Sequence, residues 1–381
     1  MAMGRIALTA LLFSLAAGAQ SPEAALKKAI AAHQAGDLAT AIAAYRECLK
    51  ADPGNLTALT NLGAALSRQG RYTEAIQVYQ AGLKQAPKDN NLALNLALAY
   101  YKMGDIGDAA TQLAALHTRA PGNRQAALLL ADCWLQMGQN KKVIELLTPL
   151  NRENPSELGI AYMLGSALIR EQKDDEGQRV LEPIFRRGDS AESRLLMGTA
   201  KLNHADFPGA LEELKKALGF NPKLPSLNAY LGQALMETGD SPGAAAAFRR
   251  ELELNPNDFQ ANLNLGVILK QQQQYDEALK VLERAARIRP GDYGVRYQQG
   301  AIALAQGKME DARKTFESLV HDAPNFTEAH VTLATIYYRL KRKEDGDKER
   351  AIVNKLNAEA QARQAQLPAD ASRKQPDANK P

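Results

Sequence analysis

Apolar residues recur along this chain at i, i+3, i+4 and i+7, and the pattern restarts every 34 residues. Between Leu56 and Asp89 the apolar and small positions are Leu59, Leu62, Gly63 and Leu66, followed by Gly70, Tyr72, Ala75, Tyr79 and Gly82. Each run has the spacing of one face of a helix. Gly70-Arg71-Tyr72 between them is a short turn, with glycine free to take a positive φ where the first helix ends. The pattern therefore predicts two antiparallel helices per 34 residues. Proline marks the end of each pair at Pro53, Pro87, Pro121 and Pro155, and again at Pro222, Pro256, Pro290 and Pro324. A period of this length is the signature of a stacked helical array rather than of a globule with one large core.

Numbering each repeat from Leu56 and its equivalents, position 8 is Gly63, Ala97, Ala131, Gly165, Gly198, Gly232, Gly266, Gly300 and Ala334. Position 20 is alanine in most repeats, with Val143 and Gly177 as exceptions. Small residues at fixed places predict close helix crossings, where a side chain must be missing at the contact. Position 24 is large: Tyr45, Tyr79, Leu113, Leu147, Leu181, Leu214, Phe248, Leu282 and Phe316.

This layout resembles the tetratricopeptide repeat family, whose pattern has a small residue at 8, Gly near 15, Ala at 20, an aromatic or Leu at 24 and Pro at 32. The resemblance covers about residues 22 to 340. It implies an all-α fold, an α-solenoid forming a right-handed superhelix of about nine to ten helix-turn-helix units. Repeats then begin near 22, 56, 90, 124, 158, 191, 225, 259, 293 and 327, the tenth being represented by its first helix. A polar segment at 341–366 is expected to form a C-terminal capping helix, since arrays need a polar outer face at their ends. The last residues, 367–381, are polar with three prolines and are expected to be disordered.

The fifth repeat breaks the pattern. Pro155 to Pro222 is one residue short of two periods, and Gln172 and Gly177 stand at positions 15 and 20. A glycine inside a helix costs about 1 kcal/mol against Ala, so residues 172–190 are expected either to be a tolerated irregularity or to form a softer joint.

Composition adds constraints. Of 381 residues 45% are hydrophobic and only 6% aromatic, with a formal net charge of +4. The segment from Arg339 onward carries a surplus of positive charge, which leaves the repeats near neutrality. A nucleic-acid binder would show a basic stripe, so nucleic acid is not an expected partner. At the N-terminus, Arg5 precedes the apolar run Ile6 to Ala16 and the small residues Ala17-Gly18-Ala19, the pattern of a signal peptide over 1–19. The run is shorter than the roughly 20 residues a membrane span needs. The expected location is exported, periplasmic or extracellular, in a bacterial-type envelope, with no span in the mature chain. Cys48 and Cys133 lie too many helices apart to bridge and are expected to be small core residues.

Candidate chemistry is sparse. The histidines, His33, His117, His204, His321 and His330, lie at no metal-ligand spacing, and the glycines are accounted for by the repeat rather than by a phosphate loop. No catalytic residue, metal site or cofactor is expected, and the chain is not expected to be an enzyme. In the family it resembles, positions 2, 5, 9 and 12 of the first helices face the concave surface. Here they supply Leu94, Leu98, Tyr101, Leu128, Leu135, Tyr162, Ile169, Leu195, Leu202 and Met236. An apolar strip with a polar rim marks an interaction surface, and such a groove takes an amphipathic helix or an extended peptide. Lys102, Arg170 and Arg339 are scattered, which disfavours recognition of a terminal carboxylate. The expected function is noncatalytic: a scaffold holding a protein or peptide partner in the groove, within an envelope assembly. Self-association and service as an accessory subunit of an envelope enzyme complex are the alternatives.

Overall fold

The structure, a computed structural model, describes residues 21–186 and 188–365. The expected signal peptide (1–19) and C-terminal tail (367–381) lie outside the described residues.

The described chain is an all-α solenoid of twenty helices in antiparallel pairs. The first four pairs are α1 (Pro22–Gln34) with α2 (Leu38–Ala51), α3 (Leu56–Arg68) with α4 (Tyr72–Gln85), α5 (Asn90–Met103) with α6 (Ile106–Arg119), and α7 (Arg124–Gln136) with α8 (Asn140–Glu153). The irregular fifth pair is α9 (Leu158–Arg170) with α10 (Asp174–Arg186), followed by α11 (Ala191–Asn203) with α12 (Phe207–Phe220) and α13 (Leu227–Glu237) with α14 (Ser241–Leu254). The last three are α15 (Phe259–Gln271) with α16 (Tyr275–Ile288), α17 (Tyr293–Ala305) with α18 (Met309–Asp322), and α19 (Thr327–Arg339) with α20 (Lys343–Ala365).

Local chemistry starts and stops these helices. Asp37, Asn55, Asp206, Asp240, Asp258 and Asp292 each accept a backbone N–H from the first turn of the following helix, satisfying one of the donors a helix start leaves free. At the other end, position 15 takes a left-handed conformation throughout. Where the slot is not glycine the backbone still goes there: Gln172 has φ 60°, Ala205 59°, Gln273 61° and Lys341 60°.

The small residue at position 8 has a more specific role than close helix crossing. A Cβ added to Gly63 would stand 2.4 Å from the ring of Tyr79, and one added to Gly232 would stand 2.7 Å from the ring of Phe248. Both rings occupy position 24 of the same repeat. The large residue of the second helix thus fills the space that the first helix leaves open, and Tyr79 and Phe248 are almost wholly buried.

The chain divides into two compact units, the first comprising 21–103 with 111–126 and the second 104–110 with 127–365. The division falls in the third repeat and not in the fifth. The first unit has a core built on Ala29, Tyr45, Leu62, Leu66, Tyr79 and Leu96. In the second, successive clusters form around Leu147 and Leu164, Leu181 and Ile184, Leu214 and Leu227, and Phe316 and Leu333.

Two irregular places are tied by side chains. After α10, Ser190 and Ser193 form a reciprocal capping box at the start of α11. Arg194 donates to both carboxylate oxygens of Asp189 and, at 2.6 Å, to Glu213 on α12. At the C-terminal end, α20 pairs with α19 as a second helix pairs with a first. Gly346 occupies position 20, where a Cβ would meet the Tyr338 ring at 2.6 Å. His330 on α19 lies 2.5 Å from the Glu349 carboxylate on α20 and 3.0 Å from the Pro324 carbonyl. The tenth repeat is therefore complete, and α20 runs on past it. Its apolar signal is faint, since most of its described residues are exposed.

Candidate functional site

The ten groove candidates divide between the two units. In the first unit Leu94, Leu98 and Tyr101 lie on α5 and are half-buried. Leu92, Leu96 and Ala99, on the opposite side of that helix, are buried. In the second unit Leu128, Leu135, Tyr162, Ile169 and Met236 are half-buried. Leu128 and Leu135 also lean on the core cluster around Leu147 and Leu164, so each is partly core and partly surface.

Leu195 and Leu202 differ. Their exposures are 1% and 8%, and both belong to the core cluster around Leu214 and Leu227. The cause is visible in the neighbouring repeats. Arg170, the last residue of α9, donates to the hydroxyl of Tyr230 on α13 at 3.3 Å, bypassing the repeat between them. Tyr162 and Tyr230 both pack on the cluster that holds Leu195 and Leu202. Side chains of the fifth and seventh repeats thus meet across the sixth. Positions 5 and 12 of the sixth repeat are covered from both sides.

A charged cluster sits beside this bridge. Glu251 on α14 is fully buried and accepts the backbone N–H groups of Ser226 at 3.0 Å and Asn228 at 3.2 Å. Ser226 has φ 63° and provides no side-chain cap to α13. Glu251 therefore does the capping from the adjacent helix. Burial, aided by repulsion from Asp258, raises its carboxyl to about 7. Asp258 caps α15 through the Ala261 N–H at 2.7 Å, and burial raises it as well. Burial pushes the Tyr162 hydroxyl upward, while Arg289 is lowered by burial despite the attraction of Asp292.

Arg289 makes a hydrogen bond that spans several repeats of the unit. Its Nε donates to the Gln136 carbonyl at 2.5 Å, 153 positions away, and its guanidinium lies 3.8 Å from the ring centre of Phe259. Gln136 is the last residue of α7, where helix carbonyls lack intrahelical donors and the helix dipole favours a cation. Arg287 lies 3.9 Å from Asp105, and a Cβ on Gly104 would stand 3.2 Å from Asn257. These contacts join the start of the second unit to the end of its eighth repeat. Periodicity named none of them, because Arg287 and Arg289 read as ordinary polar residues near a helix end.

Comparison with known proteins fits this geometry. Tetratricopeptide repeat profiles match residues 4–55, 26–90, 230–293 and 297–366, and a second such profile matches 66–133 and 100–157. The chain belongs to the tetratricopeptide repeat family.

Among solved structures it is similar to MamA 41-end from Desulfovibrio magneticus RS-1, at 25% identity over 45% of this chain and 97% of that one, with a TM-score of 0.42. A MamA RS-1 ArsTM double mutant is 24% identical over 46% of this chain and 98% of that one, again with a TM-score of 0.42. No curated protein matches the chain. Tetratricopeptide repeats build protein-interaction scaffolds, and that is the general class of this protein. Among the described residues no helix is long and apolar enough to cross a membrane, and no group of three or more His, Cys, Asp or Glu could hold a metal ion.

Proposed function

We propose that this protein is a noncatalytic scaffold that holds a peptide or helix of a partner protein on the apolar face of its first helices. The observation that supports this reading is the half-exposure of large apolar side chains at equivalent first-helix positions. Leu94 and Leu98 in the first unit, and Leu128, Leu135 and Met236 in the second, are neither closed into the core nor polar. Surface positions have no structural need for leucine, whereas a docking strip does. Leu195 and Leu202 drop out of the strip because they are core. The N-terminal sequence pattern supports an exported protein working in a cell-envelope assembly.

The test is capture by proximity labelling in the native envelope, with partners identified by mass spectrometry. Leu98→Glu and Leu135→Glu should retain helical circular dichroism and lose the partners captured by the unaltered chain. Unchanged capture by both variants would place the binding surface elsewhere.

A further inference from the structure

We propose that the second compact unit carries an autoinhibitory clasp, built from Arg287 and Arg289, that holds its inner face shut and must release before a partner segment enters. The proposal rests on the reading that this face is where partners dock, and it adds how access to the face is controlled.

Three independent contacts converge on the closure. Arg289 donates to the Gln136 carbonyl at the end of α7 and stacks on Phe259. Arg287 faces Asp105. Asn257 stands against Gly104. Between these two ends lie the fourth to eighth repeats, whose first helices follow one another from α7 to α15. Joining the end of α7 to the segment after α16 turns that arc into a closed loop. Inside it the Arg170–Tyr230 bridge already spans from the fifth repeat to the seventh. At the sixth repeat, the face expected to be open is taken up by the protein's own side chains, with Leu195 and Leu202 buried.

The clasp is built to release. A hydrogen bond from a cation to a helix end is worth less in water than a packed core contact, and the Arg287–Asp105 pair is partly exposed and screened by salt. The contacts between the two ends are polar ones: Arg289 with the Gln136 carbonyl, Arg287 with Asp105, and Asn257 beside Gly104. Adjacent repeats keep their own cores, and a solenoid whose repeats contact mainly their neighbours can change curvature without unfolding. Gly104 and Gly138, with φ of 96° and 72°, hold the turns on which the clasp closes. At both, a side chain would stand near the clasp residues.

The experiment uses the full chain and needs no partner. Nitroxide labels are placed on cysteines introduced at the exposed Lys141 on α8 and Glu283 on α16. Cys48 and Cys133 are buried, and burial raises both thiols, so they do not compete for label. Double electron–electron resonance should give one short, narrow distance for the unaltered clasp. Arg287→Ala with Arg289→Met should give a longer, broader one at unchanged helicity, methionine keeping apolar contact with Phe259 while losing the donor. In parallel, a cysteine at Ser166, position 9 of the fifth repeat on α9, should react with a thiol reagent at least tenfold faster in the clasp variant. Exchanging the charges, Arg287→Asp with Asp105→Arg, should restore the short distance when Arg289 is intact. Identical distance distributions and identical thiol rates with and without the clasp would overturn the proposal. Failure of the docking reading shows instead as unchanged capture by the leucine variants, so the two failures are distinguishable.

Discussion

The guanidinium of Arg170 and the phenol of Tyr230 meet 3.3 Å apart with a whole repeat of the solenoid between them. Their meeting decides the status of the helix below. Leu195 and Leu202, in the repeat between, lie in the core against which Tyr162 and Tyr230 pack, although their positions in the repeat are those of the open face.

Truncation separates the two kinds of position. Leu195→Ala should cost about 2–4 kcal/mol, the usual penalty for a buried leucine. Leu128→Ala should cost less than about 1.5 kcal/mol, because its side chain is already partly exposed. Urea unfolding followed by circular dichroism gives both values. Equal losses would mean that the sixth repeat is no more closed than the fourth.

The small residue at position 8 yields a paired prediction. Gly63→Ala places a methyl 2.4 Å from the Tyr79 ring and should cost about 1–3 kcal/mol. Adding Tyr79→Leu should recover part of that loss, because the third and fourth repeats carry Ala with Leu at these two positions: Ala97 with Leu113, and Ala131 with Leu147. If the double variant is no more stable than Gly63→Ala alone, the two positions do not share the space.

Position 8 also shows what was legible in the sequence. The small residue and the large one sixteen positions later both stand out from the period alone. That they fill each other's space does not, since a one-dimensional pattern carries no direction for the side chain. The helix pairs were legible for the same reason that the closure was not. Helix pairing is local and repeats ten times, whereas Arg289 and Gln136 form a single contact across 153 positions with no periodic signal. The family resemblance placed Leu195 and Leu202 on the concave face, whereas packing with the neighbouring repeats puts them in the core. Likewise α20 was legible as a helix. Its role as partner of α19 rests on Gly346 and on polar contacts that no hydrophobic pattern registers.

Position 15 offers a stabilising substitution. Ala205 is exposed and held at φ 59°, a conformation that costs a residue with a Cβ about 1–2 kcal/mol. Ala205→Gly removes that strain and adds some unfolded-chain entropy. The net gain should be about 0.5–1 kcal/mol, read as a higher urea midpoint. A lower midpoint would show that the turn is not strained by alanine.

The buried carboxyl of Glu251 makes stability depend on pH in an unusual direction. Its value in the folded chain is about 7, against 4.5 for the group in its ordinary state. Between those two values the folded protein holds a proton that the unfolded chain releases, so stability falls as pH rises from about 4.5 to about 7 and levels off above. The full effect is at most about 3 kcal/mol by the usual conversion of a pKa difference. Asp258 faces Glu251 and is itself raised by burial, which adds to the same slope, while Arg170 and Arg289 act on Asp258 in the opposite sense. The backbone N–H groups of Ser226, Asn228 and Ala229 favour the ionised carboxylate, and burial outweighs them. Glu251→Gln keeps an acceptor at the start of α13 and removes the ionisation. Urea midpoints taken from pH 4.5 to 8 should therefore slope downward for the unaltered protein and run flatter for the variant. Parallel profiles would mean that the three backbone donors dominate and that Glu251 caps α13 as a carboxylate throughout.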